Sequence, residues 1–260
     1  MIPCDNLIKL ISGMSGRRAA PKRKASTPAE PELSPTKKIE RPVLVFEDKV
    51  LETDDEVRAR DGYTDALPTK NDKGNLVFED REDFYPNLTP EEVLRAGSFG
   101  GTYFRPIKSS VTGLKYDKQW EELPQSWIKG LNIKKQIEKV EYEKSVNTYE
   151  VKCGGDLDMW ESSGWIQKQD PYGWFQWYCR FYLGRRSKDD ERQVKRWLNC
   201  AGLKGRWKNN LIGKVIKGGS VHNNFKVSPV IRQTLQHWGY RLTKEDLEAR
   251  KKILKKEGKL

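Results

Sequence analysis

Long apolar runs, histidine and paired cysteines are what this 260-residue chain has least of. No stretch of about 18 apolar residues occurs, so no membrane-spanning helix is expected. The opening stretch, Met1 to Met14, contains Asp5 and Lys9 and no extended apolar core, unlike a secretory leader, and an intracellular protein is expected. The four cysteines, Cys4, Cys153, Cys179 and Cys200, lie far apart with no Cys-x-x-Cys pair. Neither a zinc site nor a disulfide framework is indicated, and a reducing compartment fits. His222 and His237 are the only histidines, too few for a metal triad without a nearby cysteine or glutamate pattern, so no metal and no cofactor is expected. From Gly13 to Arg41 there is no aromatic residue, only a chain rich in Pro, Ala, Ser, Thr and Lys. Such a segment cannot bury enough apolar surface to offset its ordering entropy, and residues 1–41 are expected to be a disordered basic tail.

Aromatics are concentrated elsewhere. Seven of the nine tryptophans fall within the 79 residues 160–238, and Asp170 to Arg186 reads Asp-Pro-Tyr-Gly-Trp-Phe-Gln-Trp-Tyr-Cys-Arg-Phe-Tyr-Leu-Gly-Arg-Arg. Asp170 as N-cap, Pro171 at the first helical position and Gly184 beyond the end predict a helix over about 171–183. Apolar side chains cover most of its circumference, the pattern of a helix that other elements surround. The expected fold is therefore mainly α, with α+β as the alternative: a compact Trp-rich helical domain around a central aromatic helix.

Further helices follow from caps and periodicity. Thr89-Pro90-Glu91-Glu92 starts a short one that stops at Gly97. Ser187 to Asp190 resembles a capping box ahead of Val194, Trp197, Leu198 and Ala201, and Trp207, Leu211, Ile212, Val215 and Ile216 form a stripe up to Gly218. Ser228-Pro229 opens another helix, and Thr243 with Asp246 caps the last. The glycines of Gly97 to Gly101 match no phosphate-loop spacing and predict a tight turn close to the core, with anion binding as the alternative. Two copies of Leu-Val-Phe-Glu-Asp, at 44–48 and 76–80, are short extended candidates, too few for a solenoid. The expected layout is a tail at 1–41, an acidic, partly extended arm at 42–83, a globular domain at 84–242 and a basic C-terminal helix at 243–260.

Charge is spread unevenly. Net charge is +5 over residues 1–41, −8 over 42–100 and +1 over 101–183, and residues 184–260 carry 21 Lys and Arg against 7 Asp and Glu. A basic segment of that density attracts phosphate-rich partners. Arginine offers planar, bidentate phosphate recognition, so Arg180, Arg185, Arg186, Arg192, Arg196, Arg206 and Arg232, together with Lys208, are the candidate phosphate contacts. Trp160 and Trp165, in a turn-like setting before the central helix, are candidates for stacking on a base or caging a cation. Arg17-Arg18 and Lys22-Arg23-Lys24 read as a nuclear import signal, and Ser34-Pro35-Thr36-Lys37 has the form of a proline-directed phosphorylation site.

The expectation is a nuclear nucleic-acid or chromatin-binding protein, with DNA or RNA and a nuclear import receptor as partners and no membrane. Two alternatives stay open. One is an enzyme acting on a nucleotide or other phosphorylated substrate, with Glu161, Asp170 and His237 as acid/base candidates beside Arg180. The other is an interaction module that holds a peptide through the Leu-Val-Phe-Glu-Asp segments or an aromatic cage.

Overall fold

The computed structural model describes residues 53–260. The basic tail with its import and phosphorylation motifs, and the first Leu-Val-Phe-Glu-Asp copy at 44–48, lie outside the described residues. In chain order the elements are α1 (Asp54–Asp61), β1 (Thr69–Lys70), β2 (Leu76–Val77), α2 (Pro90–Arg95), β3 (Ile107–Lys108), β4 (Lys115–Tyr116), α3 (Gln125–Ile128), α4 (Ile133–Gln136), α5 (Leu157–Ser162), α6 (Trp174–Tyr182), α7 (Asp190–Ala201), α8 (Arg206–Lys217), α9 (Pro229–His237) and α10 (Lys244–Lys256). The strands form two short antiparallel hairpins, β1 with β2 and β3 with β4. The architecture is thus mainly α. The charged run 132–150 holds only α4 and a single 3-10 turn at Lys144–Val146.

Helix α6 is the centre of the core, as its aromatic circumference implies. Trp174, Phe175, Gln176, Trp177, Tyr178, Cys179 and Phe181 are all buried in it. Burying each large apolar side chain is worth roughly 1.5–3 kcal/mol, which explains why one nine-residue helix can organise so much of the chain. Phe84 packs against five rings of α6 and α7, those of Trp174, Trp177, Tyr178, Phe181 and Trp197, at centroid distances of 5.2–6.1 Å.

The caps of α6 differ from those expected. The helix starts at Trp174 behind Gly173, and neither Asp170 nor Pro171 takes part. A distant residue replaces them: the Tyr103 hydroxyl accepts the Gln176 N–H (2.9 Å) and donates to the Tyr172 carbonyl (2.6 Å), while Gln176 Oε1 accepts the Tyr172 N–H. Asp170 is instead drawn into ion pairs with Arg180 and Arg185, and a charged bond to a guanidinium is stronger than one to an amide.

The core reaches further along the chain than aromatic density indicates. Contacts place the described residues 53–260 in one compact unit. Val57 and Leu76 are buried, and Phe78, inside the second Leu-Val-Phe-Glu-Asp copy, stacks on Phe84 at 5.1 Å. Part of the stretch expected to be an arm is therefore core. At the other end, Leu247 of α10 is buried and Lys208 of α8 reaches Asp246 at 2.7 Å.

Local signals explain most of the other helices. Thr89 and Glu92 form the capping box of α2, and Thr243 accepts the Asp246 N–H at the start of α10. Ser187 donates to Asp190 through both its amide and its hydroxyl, and the same carboxylate accepts Trp177 Nε1 at 2.8 Å, tying the entry of α7 to the central helix. Ser228 departs from expectation. It stands before α9 in the left-handed region (φ 52) and its side chain caps nothing, leaving Pro229 as the only local start signal.

The glycine turn at 97–101 packs as a tight turn against the core. A Cβ on Gly97 would meet the Val146 carbonyl oxygen at 2.1 Å, and one on Gly101 the Lys135 carbonyl oxygen at 2.1 Å. Its amides are spent internally, Phe99 N–H on His237 Nε2 and Gly100 N–H on Asn147 Oδ1, so they do not form an anion loop.

Candidate nucleic-acid interface

The arginines singled out from the sequence are mostly structural. Arg180 bonds Glu122 (2.6 Å) and Asp170 (2.9 Å), and Arg185 grips both oxygens of Asp170 at 2.8 and 2.7 Å. Arg186 pairs with Asp80 and lies 3.9 Å from the Phe181 ring centre. Arg192 pairs with Asp189. The Arg196 guanidinium bonds Gln193 Oε1 and lies over the rings of Trp165 (5.7 Å) and Trp238 (5.4 Å). Lys208, 4% exposed, is held by Asp246 beneath the Tyr240 ring. Arg206 opens α8 half-buried, and Arg232 is buried in α9. These cations sit at the edge of an aromatic core, where burial without a counter-charge is costly. Asp80, Glu122 and Asp170, all upstream of residue 184, supply carboxylates to Arg180, Arg185 and Arg186.

Trp160 and Trp165 are half-buried and do not form a shared face. Because Arg196 already faces Trp165, the cation that a cage there would hold is the protein's own.

The three acid/base candidates stay apart, each with its own partners. Glu161 accepts from Ser109 Oγ (2.6 Å), Ser110 Oγ (2.6 Å) and the Ser110 N–H (3.1 Å), joining α5 to the β3–β4 turn. Burial pushes its pKa up, but the serine hydrogen bonds outweigh this and hold it below the usual carboxylate range, so it stays ionised. Asp170 is clamped between two guanidinium groups. His237 is buried, and desolvation brings its pKa down to about 3.

A pairing that sequence reasoning missed is Cys153 with His237, separated by 84 residues, where Sγ lies 3.5 Å from Nδ1. Hydrogen bonding decides what this pair can do. Nε2 accepts the Phe99 N–H at 2.9 Å, so in the neutral ring Nδ1 carries the proton and faces the sulfur as a donor. An imidazole in that tautomer cannot take the thiol proton, and burial raises the Cys153 pKa to about 12. The arrangement is a packed core contact rather than a nucleophile with its base.

Cations are left free elsewhere. An open groove of about 530 Å³ runs between the β1–β2 hairpin, the loop before α9 and the start of α10, and Lys70, Lys73, Arg241, Lys244, His222 and Phe225 line it. Among the described residues that line it, Glu245 is the only acidic one. Local structure aims each wall. Asn71 Oδ1 accepts the Lys73 and Asn75 N–H groups at 3.0 Å, closing the hairpin turn that presents Lys73. Asn87 clamps the backbone of Arg241 with two bonds of 2.8 Å. Asn224 holds Ser220 and the Lys226 N–H, shaping the loop that leaves Phe225 51% exposed.

Lys70 is paired with Glu92 at 2.7 Å, while Lys73, Arg241 and Lys244 have no carboxylate partner among the described residues. Lys70 and Lys73 lie in the net-acidic stretch 42–100, so a segmental charge count conceals them. No family model, curated protein or solved structure matches this chain.

Proposed function

We propose that the protein binds single-stranded nucleic acid along this groove, with phosphates against Lys70, Lys73, Arg241 and Lys244 and a base resting on Phe225. The observation that carries the proposal is the split between two sets of cations. Arg180, Arg185 and Arg186 beside α6 are neutralised by carboxylates, whereas Lys73, Arg241 and Lys244 in the groove have no carboxylate partner among the described residues and stand next to a large exposed ring. A positive track beside an aromatic platform is how sequence-tolerant strand binding works: counterion release supplies affinity, and stacking on an exposed ring needs bases that are not already paired. Lys226 on the same loop and Arg250, Lys252, Lys255 and Lys256 on or near the exposed side of α10, none ion-paired among the described residues, extend the positive field beyond the groove. Location in the nucleus belongs to the same proposal and rests on Arg17-Arg18 and Lys22-Arg23-Lys24.

The test is the salt dependence of oligothymidylate binding by the full chain and by the double variant Lys73→Gln, Lys244→Gln. The slope of log affinity against log salt is expected to fall by about 0.7 for each phosphate contact removed, with thermal stability changed by less than about 0.5 kcal/mol. Wild-type protein that binds neither single-stranded nor duplex nucleic acid at about 50 mM salt overturns the proposal, as does a variant with an unchanged slope. Tighter binding of duplex than of single strand would move the function to double-stranded nucleic acid. For location, a fluorescent fusion with the five basic residues of 17–24 replaced by glutamine is expected to leave the nucleus.

A further inference from the structure

Helix α9 begins without the groups that normally satisfy a helix start. Ser228 has left-handed backbone (φ 52, ψ 59) and its side chain accepts no helix N–H, and Pro229 has no N–H to offer. The amides of Val230 and Ile231 have no partner among the described residues, and the first closing bond runs from the Arg232 N–H to the Ser228 carbonyl at 3.1 Å. Two donors, on half-buried Val230 and buried Ile231, therefore stand unpaired at the positive end of a nine-residue helix.

A second, independent observation concerns Arg232 in the same first turn. Its side chain is 3% exposed, yet no carboxylate among the described residues pairs with it. Nε donates to the Val227 carbonyl at 2.9 Å, and Nη2 is buried with no hydrogen-bond partner among the described residues. A buried charge left without a counter-ion is among the costliest arrangements in a protein. Helical side chains lean towards the N-terminus, and the bond to Val227, just ahead of the helix, brings this guanidinium to the same end as the two free amides.

The cover over the guanidinium is Phe225, whose ring centre lies 5.7 Å from it and which also packs edge-on against Tyr149. Phe225 is at the same time a wall of the basic groove. One side chain thus separates an unneutralised cation from the track that would carry phosphates.

We propose that the start of α9 is a phosphate site, in which a phosphate is held by the Val230 and Ile231 amides, the Ser228 hydroxyl and the Arg232 guanidinium. The phosphate is one of the strand in the groove, and its neighbouring base stacks on Phe225; this part rests on the nucleic-acid function proposed above. Seating it moves the Phe225 ring off the guanidinium, converting a buried lone charge into a charge-assisted pair.

The test combines amide spectra and binding on the full chain. Inorganic phosphate is expected to shift the Val230 and Ile231 amide resonances in the wild type and not in Arg232→Gln. The same substitution should weaken oligothymidylate binding by about tenfold and lower its salt slope by about 0.7. Phe225→Ala should act in opposite directions, tightening inorganic phosphate by about threefold as the cation–π cover is lost and weakening oligothymidylate as the stacking platform is lost. Oligothymidylate binding with both amides unmoved by phosphate overturns the site and keeps the groove. Amides that shift with phosphate in a protein that binds no oligothymidylate keep the anion site and overturn the strand. Should Arg232→Gln fail to fold, the wild-type amide titration decides the site by itself.

Discussion

The interior around α6 and the groove at the start of α10 carry the same kind of charge and treat it in opposite ways. Beside α6, Arg180 and Arg185 converge on Asp170, a carboxylate with 1% side-chain exposure, and Arg180 also bonds Glu122. Around the groove, Lys73 and Lys244 stand in solvent with no acid partner among the described residues. Water supplies the difference. A solvated ammonium is already stabilised and stays available, whereas the guanidinium groups of Arg180 and Arg185 have lost most of their water and are neutralised from within. Net charge alone therefore says little about which cations stay unpaired; the solvation of each cation decides.

The comparison is broken most directly from the interior. Trp177→Ala removes a ring with no exposed surface and leaves Asp190 without one of its donors; a loss of about 3–5 kcal/mol is expected against a total of about 5–15. Thermal unfolding measures it, and an unchanged midpoint would mean that α6 is not the centre of the core.

Asp170→Ala tests the ion pairs. It strands Arg185 and leaves Arg180 with the Glu122 carboxylate alone, and should destabilise by about 3–5 kcal/mol in denaturant titration. A loss below about 1 kcal/mol would place those arginines in the same solvated class as the groove lysines.

His237 sharpens the contrast through pH. Its folded pKa is depressed to about 3 from the ordinary value near 6.5, so below about 6.5 the unfolded chain takes up a proton that the folded chain refuses. Stability should be at its full value above about pH 6.5 and fall by up to about 1.4 kcal/mol per pH unit towards pH 3. Between about pH 6.5 and 4.5, before carboxylates join, His237→Gln should flatten that slope. Denaturant midpoints across this range check it.

The smallest effect is expected at the rim. Lys73→Gln and Lys244→Gln should each change stability by less than about 0.5 kcal/mol, because an exposed, unpaired lysine makes no contact that folding needs. A larger loss in thermal unfolding would show that the groove cations are structural too.

Much of this molecule is written locally. The aromatic run 174–183 determines a surrounded helix, Thr89 with Glu92 and Thr243 with Asp246 determine two helix starts, and the stripe from Trp207 to Val215 determines the buried face of α8, because caps and periodicity act over one or two turns. Partner choice over long distance is decided only when the chain packs. Asp170 had a local role open to it as a cap and lost it to two arginines; Tyr103 took that role from 73 residues away. Cys153 meets His237 across 84 residues, and the groove joins a lysine hairpin from an acidic segment to Arg241 and Lys244 at the start of α10. Short-range pattern sets which groups exist and which helix face is apolar. Desolvation on packing sets which charges must be paired inside and which remain free at the surface, and that depends on neighbours that no window of sequence contains.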